Sequence, residues 1–282
     1  MKLLRYGPVG AERPAVIDKD GHVRDLSAHI HDVTPEVLSE EGLAAIAALD
    51  PAFLPIVDFS TVRLGPPIAS VGKIICIGLN YTDHAAEVGL PLPTEPTIFM
   101  KGSRPTGPND RVLLPKGSNT ADWEVELGIV IGKTGLYIDE ENALSHVAGY
   151  CVVNDLSERS YQMDRGGQWT KGKSFPGFAP VGPWLVTKDE VPSVGALPIW
   201  LRVNDRLYQN GSTSNLVFGV EKIVSYVSQF YQLEAGDLIA TGTPAGVGLG
   251  QKPPVFLKSG DIVTLEIEGL GRQRQQVAAW ED

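Results

Sequence analysis

Apolar residues along this chain fall into short runs, many with a period near two, and glycine or proline breaks them at close intervals. That period belongs to β-strands, whose successive side chains point to opposite faces. The clearest runs are KIICIG at 73–78, EVELGIVIG at 124–132, GYCVVND at 149–155, IWLRVND at 199–205, DLIATG at 237–242 and IVTLEIEG at 262–269. Nearer the N-terminus, LLRYG at 3–7 and RPAVIDKDGHVRDLS at 13–27 read as strands, the second folded back at Asp20-Gly21. Helical spacing is confined to PEVLSEEGLAAIAAL at 35–49, ENALSHV at 141–147 and VEKIVSYVSQFY at 220–231. Few connections are long enough for βαβ crossovers, which disfavours a doubly wound sheet. The Leu64-Gly65-Pro66-Pro67 stretch reads as a linker, dividing a small N-terminal α+β unit (1–68) from a larger strand-rich one (69–282).

Composition changes this picture little. Of 282 residues, 43% are hydrophobic and 21% charged, enough apolar material for a sizeable core. The balance of 24 basic against 34 acidic residues gives a formal charge of −10, with the basic residues scattered singly or in pairs. Such a surface repels nucleic acid and anionic membranes, so neither is expected as a partner. Cys76 and Cys151 each lie within an apolar run and read as buried structural thiols, implying no disulfide framework. MKLLRYGPVG lacks the apolar core of a signal peptide, and no run approaches the ~20 apolar residues that span a bilayer. A cytoplasmic protein is the expectation.

The glycine-rich TGTPAGVGLG at 241–250 follows a strand, as a dinucleotide fingerprint does. It leads into Pro253 and Pro254, which forbid the helix whose N-terminus would hold a pyrophosphate. Its glycines read instead as a tight backbone path beside a site.

Three segments carry chemistry. In the run from Asp122 to Ile131, Glu124 and Glu126 are two apart and share one strand face. Two carboxylates there either line the solvated face of an edge strand or repel each other until a hard divalent cation relieves them. Asp155 ends the next apolar strand and could serve as a ligand, as a cap for a following short helix, or as both. His84 and Glu87, three apart on a short helix opened by Tyr81-Thr82, form either a surface pair or a general base oriented by a carboxylate. Other candidates are weaker. His29-x-His31, read as a strand, lacks a third zinc ligand; His146 reads as surface or half-buried; Trp123 and Trp169 read as packing residues.

Taken in order, these segments resemble the fumarylacetoacetate hydrolase family. The resemblance runs from about residue 70 to the end and rests on Asn80-Tyr81-x-x-His84-x-x-Glu87, Glu124-x-Glu126-Leu127, Asp155 with Arg159 and Gln162, Lys173-Ser174-Phe175, and Thr241-Gly242-Thr243-Pro244-x-Gly246-Val247-Gly248. It implies a mainly β (α+β) fold, a β-sandwich roll with a small N-terminal domain, usually dimeric. It implies Glu124, Glu126 and Asp155 as ligands of Mg²⁺, with Mn²⁺ or Ca²⁺ as substitutes. His84 and Glu87 then match the acid–base dyad, on a segment that closes over ligand, and Lys173 an active-site lysine. Arg159, Gln162 and Thr243 match positions lining the substrate pocket. The implied reaction is hydrolysis of a C–C bond in a 2,4-diketo acid, either an acylpyruvate or a diketo-deoxy sugar acid, giving pyruvate and a second acid. The same apparatus could serve a decarboxylase, isomerase or lyase, such as oxaloacetate decarboxylase or ureidoglycolate lyase. A β-domain that binds without catalysis is a third reading, disfavoured by the intact His84–Glu87 spacing.

Overall fold

The structure, a computed structural model, describes residues 1–280. Its strands form a curled ten-stranded sheet, a five-stranded sheet and a two-stranded ribbon. Across the large sheet the order is Ile56–Val57, Val23–Asp25, Arg13–Ile17, Lys2–Tyr6, Val181–Thr187, Val147–Asn154, Val125–Ile131, Leu238–Ala240, Ile74–Gly78 and Thr97–Lys101. All neighbours in it are antiparallel except Leu238–Ala240 against Ile74–Gly78. The mainly β fold expected from the residue pattern is the fold observed.

Strand Val125–Ile131 shows why its sequence is nearly all apolar: both of its faces are buried. Val125, Leu127, Ile129 and Ile131 pack in one core with Ile199, Leu201, Val263, Leu265 and Ile267 of the five-stranded sheet. That second sheet alternates apolar and polar residues, as expected for a layer with only its inner face in the core. On the opposite face, Val130, Cys151 and Val153 pack with Leu26, Leu38 and Ile46 from the N-terminal segment. The N-terminal strands also extend the large sheet, with Leu3 opposite Leu185. Arg5 bonds Asp32 at 2.6 Å, and Arg63 joins Glu12 (2.9 Å) and Asp110 (2.6 Å) across the Pro66-Pro67 stretch. Neither sheet nor core is interrupted at residue 68.

The helical expectations need adjustment. The α-helix within 35–49 covers only Glu40–Ala47, because Ser39 accepts from the Gly42 amide at 3.0 Å and starts the helix there. Residues Glu140–His146 wind as 3₁₀ turns rather than an α-helix, since Val147 is already committed to a strand. The helix in 220–231 ends at Val227, beyond which the Ser228 hydroxyl donates to the Ser225 carbonyl at 2.7 Å. No helix follows the glycine-rich loop before the strand at Ile262, in keeping with the exclusion of a dinucleotide fold. No helix among the described residues is long and apolar enough to cross a membrane.

Cys76 and Cys151 are fully buried, and burial pushes the Cys76 thiol well up and the Cys151 thiol up to about 12. Both stay protonated and inaccessible in the fold. A thiol reagent is therefore expected to find almost nothing to react with in the native protein and both cysteines after denaturation, as read by absorbance on titration.

Candidate metal centre and active site

The three carboxylates come together through strand register. Val147–Asn154 runs antiparallel to Val125–Ile131 with Val153 opposite Glu126 and Cys151 opposite Gly128. Two residues further on, the Asp155 amide donates to the Glu124 carbonyl at 2.9 Å. Asp155 thus follows Cys151 and Val153 on the face that bears Glu124 and Glu126. Oxygens of Glu124, Glu126 and Asp155 all lie within 4.8 Å of one another, in buried surroundings. Gly128 continues this face, and a Cβ there would meet Val153 at 2.7 Å and Cys151 at 2.9 Å.

This settles two alternatives. Glu124 and Glu126 do not line a solvated edge, because their strand has neighbours on both sides and both side chains are buried. Asp155 does not cap a helix either. Ser157–Glu158 after it is a short strand paired with Ala121–Asp122.

Cations surround part of this cluster. Lys173 Nζ, 2% exposed, donates to Glu124 Oε2 at 2.7 Å and to Asp155 Oδ2 at 2.8 Å. Lys101, also buried, donates to Asp155 Oδ1 and, at 3.1 Å, to the Leu156 carbonyl. Arg159 reaches Glu124 Oε1 at 2.7 Å, Asp122 Oδ2 at 2.8 Å and Gln162 Oε1 at 2.9 Å. Four carboxylates (Asp122, Glu124, Glu126 and Asp155) therefore meet three cations (Lys101, Lys173 and Arg159), leaving one negative charge in excess. Glu126 carries that excess. Among the described residues its Oε2 accepts only the Gly242 amide, at 2.8 Å, while the cations are bonded to Glu124, Asp155 and Asp122.

The electrostatics follow from this division. Burial, then the charges of Asp155 and Glu124, push the Glu126 carboxyl well above its usual range. Glu124 meets the same burial, but Lys173 and Arg159 overcome it and hold its carboxyl far below. Lys173 and Arg159 are raised because the carboxylates outweigh their own burial. A hard divalent cation suits this donor set. The ligands are all oxygens, their pairwise repulsion is unrelieved at Glu126, and Mg²⁺ or Mn²⁺ favours carboxylate ligation.

A second group sits on the wall of the same cavity. His84 Nδ1 lies 3.0 Å from Glu87 Oε2 on the Thr82–Val88 helix, which ends at Gly89 with φ +69. The other Glu87 oxygen accepts the Gly246 amide at 2.8 Å, tying the helix to the glycine-rich loop. That loop must pass close: a Cβ on Gly250 would lie 2.4 Å from the Glu87 carboxyl carbon, and one on Gly246 2.0 Å from the Tyr208 carbonyl. With Nδ1 committed to Glu87, Nε2 is the ring nitrogen left for chemistry.

The cavity holds about 640 Å³, with Glu124, Glu126, Lys173, Arg159, Gln162 and Thr243 among its lining residues. The Thr243 hydroxyl is already engaged, donating to the Val125 carbonyl at 2.9 Å and accepting from Gln209 at 2.7 Å. All nine site residues singled out in the sequence thus gather around one space. Three participants escaped sequence reasoning. Lys101 ends the strand TIFMK, and its position as a lone charge closing an apolar stretch was the available signal. Asp122 accepts the Gly248 (2.6 Å) and Leu249 (2.9 Å) amides and anchors Arg159. Gln209 accepts the Val125 amide at 3.0 Å between the two glutamates, which nothing local in the sequence announces.

Trp123 is fully buried, stacks at a tilt on Tyr208 and donates to the Gly246 carbonyl at 3.1 Å, a packing role. Trp169 is half-buried and lines the cavity. His29 lies in a turn rather than on a strand, and His29 and His31 are both exposed. His146 is half-buried, 2.9 Å from the Lys133 carbonyl.

The mainly β fold thus carries a cavity with a carboxylate floor and a histidine–glutamate pair on its wall. Residues 73–278 match the family model for Fumarylacetoacetate (FAA) hydrolase C-terminal, and the chain belongs to that family. A protein of Burkholderia lata named only as a hydrolase is 56% identical over 277 residues, covering 98% of both chains. Among solved structures, fumarylacetoacetate hydrolase from the psychrophile Exiguobacterium antarcticum is 36% identical with a TM-score of 0.86, covering 99% of this chain and all of that one. Maleylpyruvate hydrolase from Sphingobium sp. SYK-6, in complex with manganese(II) and pyruvate, is 31% identical with a TM-score of 0.82, and both chains are covered in full.

The uneven charge division has a measurable consequence. Without metal, Glu126→Gln keeps an acceptor for Gly242 and removes the carboxyl that no cation matches, so the melting temperature should hold or rise. Asp155→Asn strips two buried lysines of a partner and is expected to cost about 3 kcal/mol or more. Both variants should bind Mn²⁺ at least about tenfold more weakly in calorimetry. An Asp155→Asn protein as stable as wild type contradicts the pairing.

Proposed function

We propose that the chain is a divalent-metal-dependent hydrolase that cleaves the C3–C4 bond of a 2,4-dioxo acid, releasing pyruvate and a second carboxylic acid. The observation that carries this reading is the convergence of Glu124, Glu126 and Asp155 beneath a cavity whose wall presents the His84–Glu87 pair. The manganese(II) and pyruvate held by the Sphingobium relative support it.

Glu124, Glu126 and Asp155 would hold Mg²⁺ or Mn²⁺, which would supply Lewis acidity to the 2-oxo end of the substrate. His84 Nε2 takes a proton from water, and Glu87 fixes the tautomer and steadies the resulting imidazolium. The hydroxide oxygen adds to the C4 carbonyl, and the C3–C4 bond breaks with its electron pair passing to C3. Negative charge then spreads to the C2 oxygen, and the permanently charged Lys173 stands at that end of the cavity. Protonation at C3 by the imidazolium completes pyruvate and returns His84 to its neutral form. The sum is one water consumed and two acids formed. In the cell the expected setting is cytoplasmic, with the protein as a homodimer.

An acylpyruvate assayed with Mg²⁺ or Mn²⁺ should yield pyruvate and the matching acid in equal amounts, and chelation should abolish turnover. His84→Ala is expected to lower kcat about 10²-fold or more. Undiminished activity after exhaustive chelation, a His84→Ala enzyme within about twofold of wild type, or carbon dioxide as the product each contradicts the scheme.

A further inference from the structure

Away from the carboxylate floor and the His84–Glu87 pair, the cavity lining is mostly apolar, with Gln251 and Lys252 as its polar side chains. Leu79, Val88, Phe99, Met163, Trp169 and Leu249 line it away from the charged cluster. Two features show that this wall is built. Leu79 holds a backbone φ of +53, a conformation that bulky side chains rarely adopt, and there it contributes to the lining. Gly78 lets the Trp169 indole close in, since a Cβ there would meet Trp169 at 2.5 Å. Phe99 packs edge-on against that indole with ring centroids 5.4 Å apart.

Cations that could receive a second anionic group are scarce. Of the lysines and arginines lining the cavity, Arg159 is consumed by Asp122 and Glu124, and Lys173 by Glu124 and Asp155. Lys252 is the remaining one among the described residues, and it is exposed. Met163 is 55% exposed and Leu90 50%, so apolar surface continues to the mouth. An uncharged hydrocarbon group covering this surface is favoured by its removal from water, whereas a carboxylate there loses hydration without a partner.

We propose that this cavity selects a 2-oxo acid whose far end is an alkyl or aryl group rather than a second carboxylate. The inference rests on the 2,4-dioxo-acid reading for its chemistry but concerns only the wall. In the metal-loaded wild-type protein, kcat/KM should rise about threefold for each added methylene from acetylpyruvate to hexanoylpyruvate. It should exceed that of an acylpyruvate of equal length ending in carboxylate by at least about tenfold. Met163→Lys should narrow that gap by about tenfold. Calorimetry with 2-oxooctanoate and 2-oxooctanedioate, which have no C4 carbonyl to attack, reads the same preference without bond cleavage. Tighter binding of the monoacid supports the proposal even if no acylpyruvate is cleaved, a result that would count against the C–C hydrolysis reading alone. Equal or tighter binding of the diacid, weakened by Lys252→Ala, overturns the proposal and leaves hydrolysis untouched.

Discussion

Repulsion among carboxylates forced together in a buried space governs this molecule. Strand register places Glu126 opposite Val153 and brings Asp155 beside Glu124, so the three acids cannot separate without unpairing the sheet. Isolated charges in such surroundings cost several kcal/mol each unless matched. The chain meets that cost by burying Lys101, Lys173 and Arg159 in the same place. The matching is deliberately incomplete in its effect: Glu124 and Asp155 are paired, and Glu126 is left with a backbone amide. Such a division leaves the strongest unrelieved repulsion at Glu126, the position where a further cation would relieve most of it.

The rest of the fold serves that arrangement. The five-stranded sheet seals one face of the carboxylate strand, and the N-terminal segment seals the other. Burial of the strand on both faces leaves the cluster open to water only through the cavity, which strengthens the charge interactions within it. Around the cluster, backbone and amide groups hold the acids in place. Gln209 bonds the Val125 amide between the two glutamates, and Asp122 fixes Arg159 while gathering the Gly248 and Leu249 amides. The glycine-rich loop thus touches the carboxylate cluster through Gly242, the arginine anchor through Gly248 and the His84–Glu87 pair through Gly246.

How much of this the sequence disclosed depended on the range of the interactions. Strand period exposed the main strands, and the two-residue spacing put Glu124 and Glu126 on one face. What it could not disclose was whether that face met water, because an edge strand and a central strand differ only in their neighbours. The pairing of Val147–Asn154 with Val125–Ile131 decides the matter and is nonlocal. Lys101 and Gln209 were missed for the same reason: each acts on residues more than 50 positions away in the chain. The helix over 141–147 was misread for a local reason. Its apolar spacing suits an α-helix, but the segment is too short to propagate one before the strand begins. The glycine-rich loop was read correctly because Pro253 and Pro254 act locally, forbidding the helix whatever the tertiary context.

Floor and wall of the cavity answer to different constraints, and that difference explains why the wall is harder to read from the sequence than the floor. Moving any floor carboxylate unbalances a network in which Lys173 and Arg159 each serve two acids. Such coupling ties the floor residues to one another across Glu124, Asp155, Arg159 and Lys173. Wall residues such as Val88, Met163 and Leu249 carry no charge and sit on separate segments, so each can change size or polarity with little effect on the others. A family can therefore hold one charge arrangement and exchange the groups that face the far end of its substrates. In this chain much of the wall is hydrocarbon, and even a leucine in a disfavoured backbone conformation contributes to it.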